Sequence, residues 1–312
     1  LLHFGLGEAT ALESLVITWP SGTRQKLGKL AAGNLHIITE PQTGIAPPAS
    51  PRPMFTSSPM FRGIAHEERP FDDFRSQPLL PSKLSQLGPG IAWGDVNGDG
   101  RQDFYLGRAA GTCGGIHVRR EAPTSRGAHF MVNTLDPFEA DAACEDIAPL
   151  FFDADSDGDL DLYVVSGGVE CEPAAAVLRD RLYLNDGKGS FSKAPAGTLP
   201  AASISGGAVC AADFDRDGDL DLFVGGRSIP GRYPETPRSQ LLRNDSRQGA
   251  PKFVEVTPKE LAATGLVTAA RWADFNGDQW PDLLVAHEWG PVKLYLNRKG
   301  FLADASTMSG LK

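Results

Sequence analysis

Acidic side chains recur in this sequence at one fixed spacing. Four nine-residue windows begin at Asp95, Asp153, Asp213 and Asp274, and each has Asp or Asn at positions one, three, five and nine. A tight loop would turn these oxygen atoms towards a common centre, to which position seven could add its backbone carbonyl. Calcium takes roughly six to eight hard oxygen ligands at about 2.3–2.6 Å. The windows therefore predict four calcium loops, each with one Ca2+.

The predicted ligands occupy positions one, three, five, seven and nine of each window. In chain order they are Asp95, Asn97, Asp99, Arg101, Asp103, Asp153, Asp155, Asp157, Asp159, Asp161, Asp213, Asp215, Asp217, Asp219, Asp221, Asp274, Asn276, Asp278, Trp280 and Asp282. A solvated acidic turn is the alternative, but the same spacing would then have to arise four times by chance. Aspartates this close would also repel each other without a cation.

The fourth window differs from the other three at position six. Gln279 stands there in place of glycine, and a sharp turn at this position favours glycine because it has no Cβ. We therefore expect the fourth calcium site to be weaker.

An EF-hand opens with a similar pattern but needs Glu at position twelve and a helix on each side. Position twelve is Leu106, Val164, Val224 or Val285, and each window runs into a short apolar segment of β-branched and aromatic residues. Such a segment is typical of a strand. Each window is therefore predicted to be a hairpin turn between two strands.

The windows start 58, 60 and 61 residues apart, which marks one structural unit used repeatedly. Within the second unit the sequence predicts strands at 147–152, 160–166, 181–185 and 189–193, with a turn at Asn185-Asp186-Gly187 between the last two. Four antiparallel strands in about sixty residues indicate a β-propeller blade. The 35 glycines and 24 prolines agree with short strands and many turns. We predict an all-β fold with about four blades and a small β domain.

These windows resemble the FG-GAP or VCBS repeats, the calcium-bearing blades that also occur in integrin α-subunit propellers. The first forty residues, with the phrases at 3–7, 14–22 and 35–38, look like the ASPIC/UnbV domain that accompanies such repeats in cartilage-acidic-protein-like proteins. The phrases at 77–81, 87–90 and 226–234 are similar to bacterial members of that family. The resemblance implies the fold, calcium and export, but no particular ligand.

Three regions follow from these patterns. Residues 1–40 are predicted to form the ASPIC/UnbV-like domain, 41–60 a stiff Pro-rich linker and 61–312 the propeller segment. A polyproline ligand motif is the alternative for the linker. Gly310-Leu311 matches the pair that precedes the fourth window, so a fifth window is expected beyond residue 312. We therefore expect an incomplete propeller that continues into further blades of a longer parent protein.

The formal net charge of −9 argues against a nucleic acid partner, since duplex binding needs a basic surface. Four divalent cations would bring that charge close to zero. No run of eighteen apolar residues occurs, so no transmembrane segment is predicted. The expected partner is a protein or glycan at the cell surface, and the expected location is extracellular, cell-surface or periplasmic.

Two further features could bear on binding or catalysis. Arg227, Arg232, Tyr233 and Arg238 lie in a proline-stiffened excursion that could bind a carboxylate-bearing glycan or a partner protein. The alternative is that these arginines pair with neighbouring acidic loops. His66 lies in a cluster with Glu67, Glu68, Asp72 and Asp73, which is acid/base machinery, a transition-metal site or a solvated entry segment. His287 beside Glu288 is interpreted as structural.

Four cysteines occur in the sequence. A disulfide between Cys144 and Cys171 is predicted across the second blade, with Cys113 as the rival partner for Cys144. Cys210 is predicted to be a buried free thiol.

Taken together, these features predict a calcium-binding propeller module for binding, adhesion or cell-surface assembly, without catalytic residues. The rival function is a propeller-type polysaccharide lyase or hydrolase, which would need ionisable groups that converge on one face outside the windows.

Overall fold

The structure is a computed structural model that describes residues 5–41, 58–121, 129–132, 136–247, 250–307 and 310. The chain separates into two compact units, Leu1–Ser58 and Pro59–Lys312. Residues 42–57, which make up most of the predicted linker, lie outside the described residues, so the linker stays a prediction.

The first unit consists of short antiparallel strand pairs. Strand β1 (Ala11–Leu12) pairs with β4 (Leu30–Ala31), and β2 (Leu15–Thr18) pairs with β3 (Arg24–Leu27). Along β2 the half-buried Leu15 and Ile17 alternate with exposed residues, as period-two geometry requires. The small β domain predicted from the sequence is confirmed.

The second unit contains four four-stranded antiparallel sheets, in each of which neighbouring strands follow chain order. Blade 1 comprises β5 (Ile91–Gly94), β6 (Asp103–Leu106), β7 (Gly115–Arg120) and β8 (His129–Val132). Blade 2 comprises β9 (Asp146–Phe152), β10 (Asp161–Ser166), β11 (Arg181–Asn185) and β12 (Phe191–Lys193). Blade 3 comprises β13 (Ser205–Ala212), β14 (Asp221–Ser228), β15 (Gln240–Asn244) and β16 (Phe253–Glu255). Blade 4 comprises β17 (Leu266–Ala273), β18 (Asp282–Glu288), β19 (Lys293–Asn297) and β20 (Leu302–Asp304).

In the described part of the chain, helices are few and short. They are α1 (Asp73–Ser76), α2 (Lys259–Ala262) and the 3-10 turns Pro59–Phe61, Phe138–Asp141 and Ala176–Leu178. The predicted all-β fold with propeller-like blades is therefore confirmed. Within the described residues, no helix is long and apolar enough to cross a membrane.

Three of the four strands predicted for blade 2 agree with the structure within one residue. The fourth, β12, begins two residues later than predicted, because residues 186–190 form a longer loop. Asp186 shapes this loop: its backbone N–H donates to the Ser190 carbonyl at 3.1 Å, and its Oδ1 accepts from the N–H groups of Lys188 and Ser190. The turn predicted at Asn185-Asp186-Gly187 is present between β11 and β12, but it extends to residue 190.

The hydrophobic core lies between consecutive blades. Along β10, Leu162 and Val164 pack towards blade 1, whereas Tyr163 and Val165 pack towards blade 3. Every residue of β10 is buried, because successive side chains point to opposite faces and both faces are covered. This explains the apolar segment that follows each window.

All four cysteines are free thiols, so the disulfide predicted between Cys144 and Cys171 is not formed, and neither is its Cys113 rival. The register explains this. Asp146 lies opposite Ser166, with an irregularity at Val165/Ser166, so the pairing direction would bring Cys144 opposite residue 168 and not opposite Cys171. The predicted free thiol at Cys210 is half-buried, and burial raises its pKa to about 12.

Candidate metal centre

All four windows occupy the same place in their blades. Each begins directly after the first strand and ends where the second strand starts, as with Asp153 after β9 and Asp161 at the start of β10. The windows are therefore hairpin turns, as predicted. They lie together at what we call the window end of the blades, and the start of each first strand lies at the opposite end.

Position nine of each window ties the loop to the rest of its blade. The side chain of Asp161 is 1% exposed and accepts two backbone hydrogen bonds, from Ala154 N at 3.0 Å and from Asn185 N at 2.8 Å. Asp103, Asp221 and Asp282 accept the equivalent pairs. Burial, the largest cause, raises the pKa of Asp161 and of Asp221 to about 7.

The second and third windows each bring three carboxylates together. One group is Asp153, Asp155 and Asp161, and the other is Asp213, Asp215 and Asp221; within each group, one ligand atom per residue lies within 4.8 Å of the others. The first and fourth windows have Asn at position three, so an amide oxygen takes the place of one carboxylate there.

Several of these oxygens are buried without a hydrogen-bond donor. They are Asp153 Oδ1, Asp155 Oδ1, Asp159 Oδ1 and Asp215 Oδ1. Burial, followed by repulsion from Asp157 and Asp155, raises the pKa of Asp159 to about 6. A buried carboxylate oxygen without a donor is costly unless a cation compensates it. The donor set is all oxygen, so the residues present fit calcium.

Backbone hydrogen bonds hold each loop in a curled shape. Asp95 Oδ1 accepts from Asp99 N at 3.1 Å, and its Oδ2 accepts from Gly100 N at 2.7 Å. The fourth window keeps this arrangement despite its substitution, because Gln279 N donates to Asp274 Oδ2 at 2.8 Å. All four windows can therefore adopt the same loop.

Position six lies in the left-handed region in every window, with φ of 80° at Gly100, 94° at Gly158, 104° at Gly218 and 71° at Gln279. The strain expected at Gln279 is therefore present, since a side chain there crowds the backbone.

Position four also has positive φ in every window, which the sequence analysis missed. The values are 69° at Gly98, 61° at Ser156, 63° at Arg216 and 79° at Gly277. Glycine at this position in two windows was the available signal. Only the first window has glycine at both strained positions.

Side chains at position four reach the next window along the chain. Ser156 Oγ donates to Asp219 Oδ1 at 2.6 Å, and the guanidinium carbon of Arg216 lies 5.2 Å from the ring centroid of Trp280. Both contacts join position four of one window to position seven of the following one. Adjacent loops are therefore linked directly.

A buried asparagine at the end of each third strand in blades 2 to 4 joins consecutive blades. Asn244 Nδ2 donates to Ala154 O of the preceding blade at 3.0 Å and to Leu220 O of its own window at 3.2 Å. Asn185 and Asn297 make the same pairs of bonds. Sequence reasoning missed this role, although the recurring Asn at 185, 244 and 297 was visible.

The arginines of the 227–238 excursion are each paired with a glutamate. Arg227 Nη2 lies 2.5 Å from Glu288 Oε2 in a largely buried pair. Arg232 pairs with Glu235, and Arg238 with Glu255. Each of these arginines therefore pairs with a different glutamate, and the three do not converge on one ligand site.

The acidic cluster predicted around His66 is divided in the structure. His66 Nε2 lies 2.7 Å from Glu68 Oε1, whereas Asp73 is buried and accepts from Leu84 N, Ser85 N and Ser85 Oγ. Asp73 is thus a structural residue that fixes the chain ahead of blade 1.

Glu145 and Glu170 form a carboxylate pair near Glu68 that the sequence analysis did not select. The side chain of Glu145 is 4% exposed, and neither of its oxygens has a donor. Burial, then the neighbouring Glu170 and Glu68, raises the pKa of Glu145 to about 8. No spacing in the sequence indicated this pair, because the fold brings it together from the two sides of the β9–β10 hairpin.

His287 is held from both sides of its ring, as its structural interpretation requires. Nδ1 lies 2.9 Å from Pro291 O, and Nε2 lies 2.9 Å from Thr264 Oγ1. Burial, the largest cause, lowers the pKa of His287, which favours the neutral ring.

Comparison with known families agrees with both resemblances drawn from the sequence. Residues 153–224 match the family model for an FG-GAP-like repeat, and residues 1–45 match the model for ASPIC and UnbV. The first match spans the two windows that carry three close carboxylates. A search of curated proteins found no match to the chain.

Proposed function

We propose that this chain is a calcium-stabilised β-propeller module that works outside the cytoplasm and binds a protein or a glycan, in adhesion or cell-surface assembly. The observation that supports calcium most strongly is the set of buried carboxylate oxygens without donors in the second and third windows. Positions one, three, five and nine would supply side-chain oxygen, and position seven a backbone carbonyl. We expect about four sites, with the fourth weaker.

Calcium would compensate the carboxylates and hold the window end of each blade in one shape. Extracellular calcium modules bind in the range of about 10⁻⁴–10⁻³ M, which suits the calcium concentration outside cells. Windows that bind calcium in this range would be loaded outside cells and not in the cytosol, which agrees with the proposed extracellular, cell-surface or periplasmic location.

Isothermal titration of the metal-free chain with CaCl₂ tests the metal assignment. We expect saturable binding that weakens in Asp155→Ala, because that variant removes a buried ligand of the second window. Asp72→Ala is the matched control, since Asp72 is an exposed aspartate outside the windows and makes no side-chain cap hydrogen bond. Equal binding by the two variants, or no binding by the wild type, would overturn the assignment.

The rival function, a propeller-type polysaccharide lyase or hydrolase, has one observation in its favour. Glu170 lines a cavity of about 500 Å³ and lies beside the buried Glu145, at the opposite end from the windows. A carboxyl group with a raised pKa can act as a general acid. Release of new chain ends from a neutral or uronate polysaccharide, lost in Glu170→Gln, would support the enzyme. Binding without cleavage would support the module.

A further inference from the structure

A cavity of about 1150 Å³ opens at the end of the blades opposite the windows. Three segments that are distant in sequence form its walls: residues 76–81, residues 231–236, and both ends of the first hairpin of blade 4. Leu266 at the start of β17 lies opposite Glu288 at the end of β18, and both line the cavity. Paired strand ends therefore form one wall of the cavity.

Trp289 is the dominant aromatic surface of this cavity. Its side chain is 75% exposed, and its φ of 61° is in the left-handed region, which a bulky residue rarely adopts. Because the side chain is exposed, burial in a hydrophobic core does not offset the cost of this backbone conformation. Strained residues of this kind persist where the surrounding structure holds them, often at binding sites.

A chain of hydrogen bonds fixes Trp289 in place. Its Nε1 donates to the Tyr233 hydroxyl, which donates to Glu288 Oε1 at 2.8 Å. Tyr233 is fixed in turn by Gln77, which bonds its backbone N–H at 3.1 Å and its carbonyl at 2.9 Å. The indole is thus held in one orientation before any ligand arrives, which reduces the entropic cost of binding.

Both charged side chains of the lining already have partners. Glu288 is paired with Arg227, and Lys293 Nζ donates to Thr264 O at 2.9 Å. The lining carries one acidic and one basic side chain, so it does not select for a strongly anionic or a strongly cationic ligand. Leu79, Pro81 and Pro234 add apolar surface. The cavity therefore favours an uncharged ligand that is partly apolar and partly hydroxylated.

We infer that this cavity binds an uncharged oligosaccharide, with one pyranose ring stacked on Trp289. The C–H groups on one face of a pyranose are weakly positive and pack on the negative face of an aromatic ring. Its hydroxyl groups need a few well-placed polar partners, which the exposed hydroxyl groups of Ser76 and Thr236 in the lining can supply. This inference names the ligand class for the binding function proposed above and rests on that proposal.

The test is tryptophan fluorescence titration of the full chain in saturating CaCl₂ with maltotetraose, cellotetraose and chitotetraose as probes. We expect at least one of them to bind. Trp289→Ala should weaken that binding by roughly ten- to a hundredfold, as expected when a central aromatic contact residue is truncated. Because removing Trp289 also removes a reporter, calorimetry should measure the affinity of each variant.

Two variants separate stacking from general disturbance of the fold. Trp289→Phe keeps an aromatic face but loses the Nε1 bond to Tyr233, so its affinity should fall between those of the wild type and Trp289→Ala. Phe301→Ala removes an aromatic side chain that is 78% exposed and is not among the cavity residues, so it should bind as the wild type does.

The inference is overturned if none of the three oligosaccharides binds, or if Trp289→Ala binds as tightly as the wild type. Binding of oligogalacturonate or of a proline-rich peptide alone would also overturn it. Melting temperatures recorded with and without calcium in the same samples test the proposed metal sites separately. Calcium stabilisation without sugar binding would reject this inference and leave the metal assignment intact.

Discussion

At the scale of single residues, position six of the windows shows how one residue can lower the stability of a loop. Gln279 adopts φ of 71°, where the other three windows have glycine. The left-handed conformation costs a non-glycine residue roughly 1–2 kcal/mol, part of which the flexibility of unfolded glycine offsets. Gln279→Gly should therefore raise the free energy of unfolding by about 0.5–1 kcal/mol, measured by urea denaturation in calcium.

The control for this change is Gln279→Ala, which removes the amide side chain but keeps the strained conformation. It should give no comparable gain. Equal stabilisation by glycine and alanine would show that the Gln279 side chain, and not the backbone conformation, lowers the stability of the fourth window.

The buried Glu145 predicts a second residue-scale effect, on pH dependence. Its folded-state pKa of about 8 exceeds the ordinary value of 4.5. The unfolded chain therefore releases this proton first as pH rises, and stability is lost between about pH 4.5 and 8. Glu145→Gln should be more stable than the wild type at pH 8, by roughly 2–5 kcal/mol, with the difference vanishing near pH 4.5.

Urea denaturation at several pH values measures this effect. Glu139→Gln is the control, because Glu139 is exposed and lies just ahead of the same strand. A Glu145→Gln variant that tracks the wild type across this range would show that Glu145 titrates normally in the folded protein.

Sequence reasoning located the windows from their repeated spacing and identified the strain at Gln279 from a missing glycine. It could not find the position-four contacts or Glu145, because these depend on which blade lies next to which. Ser156 and Asp219, for example, are 63 residues apart and meet only after two blades have packed together.

At the scale of strands and blades, Asn244 carries a prediction of its own. It is fully buried and bridges Ala154 O of blade 2 and Leu220 O of blade 3. Asn244→Ala removes the donor to Leu220 O and leaves Ala154 O with the Ser246 hydroxyl as a donor, so we expect it to lower the free energy of unfolding by about 1–3 kcal/mol. Thermal or urea unfolding measures the change.

Ser192→Ala, at an exposed position of β12, serves as the control and should change stability little. An Asn244→Ala variant as stable as this control would contradict the role of the asparagine as a link between blades.

Three strands of blade 2 were predictable within one residue, in part because the middle of β10, Leu162–Val165, is buried on both faces and is therefore apolar. The start of β12 and the absence of a Cys144–Cys171 disulfide were not predictable in this way. The loop at 186–190 is set by hydrogen bonds to Asp186 Oδ1, and an irregularity at Val165/Ser166 shifts the hairpin register. Neither feature has a periodic signal in the sequence.

At the scale of the whole blade array, the two ends have different chemistry. The window end carries the buried carboxylates, whereas the opposite end carries the cavity around Trp289 and the Glu145–Glu170 pair. Metal and ligand would therefore be separated by the length of the strands. Calcium is expected to act through the stability of the blades and not by direct contact with the ligand.

The most direct test of this account is the melting temperature of the chain in calcium and in excess chelator. Calcium that binds only the folded loops stabilises by mass action, so the melting temperature should rise with calcium concentration and fall on chelation. Magnesium at the same concentration should be a poor substitute, because it demands near-octahedral geometry and gives up its water reluctantly. A melting curve that is the same in calcium and in excess chelator would contradict the central claim that these windows are calcium sites.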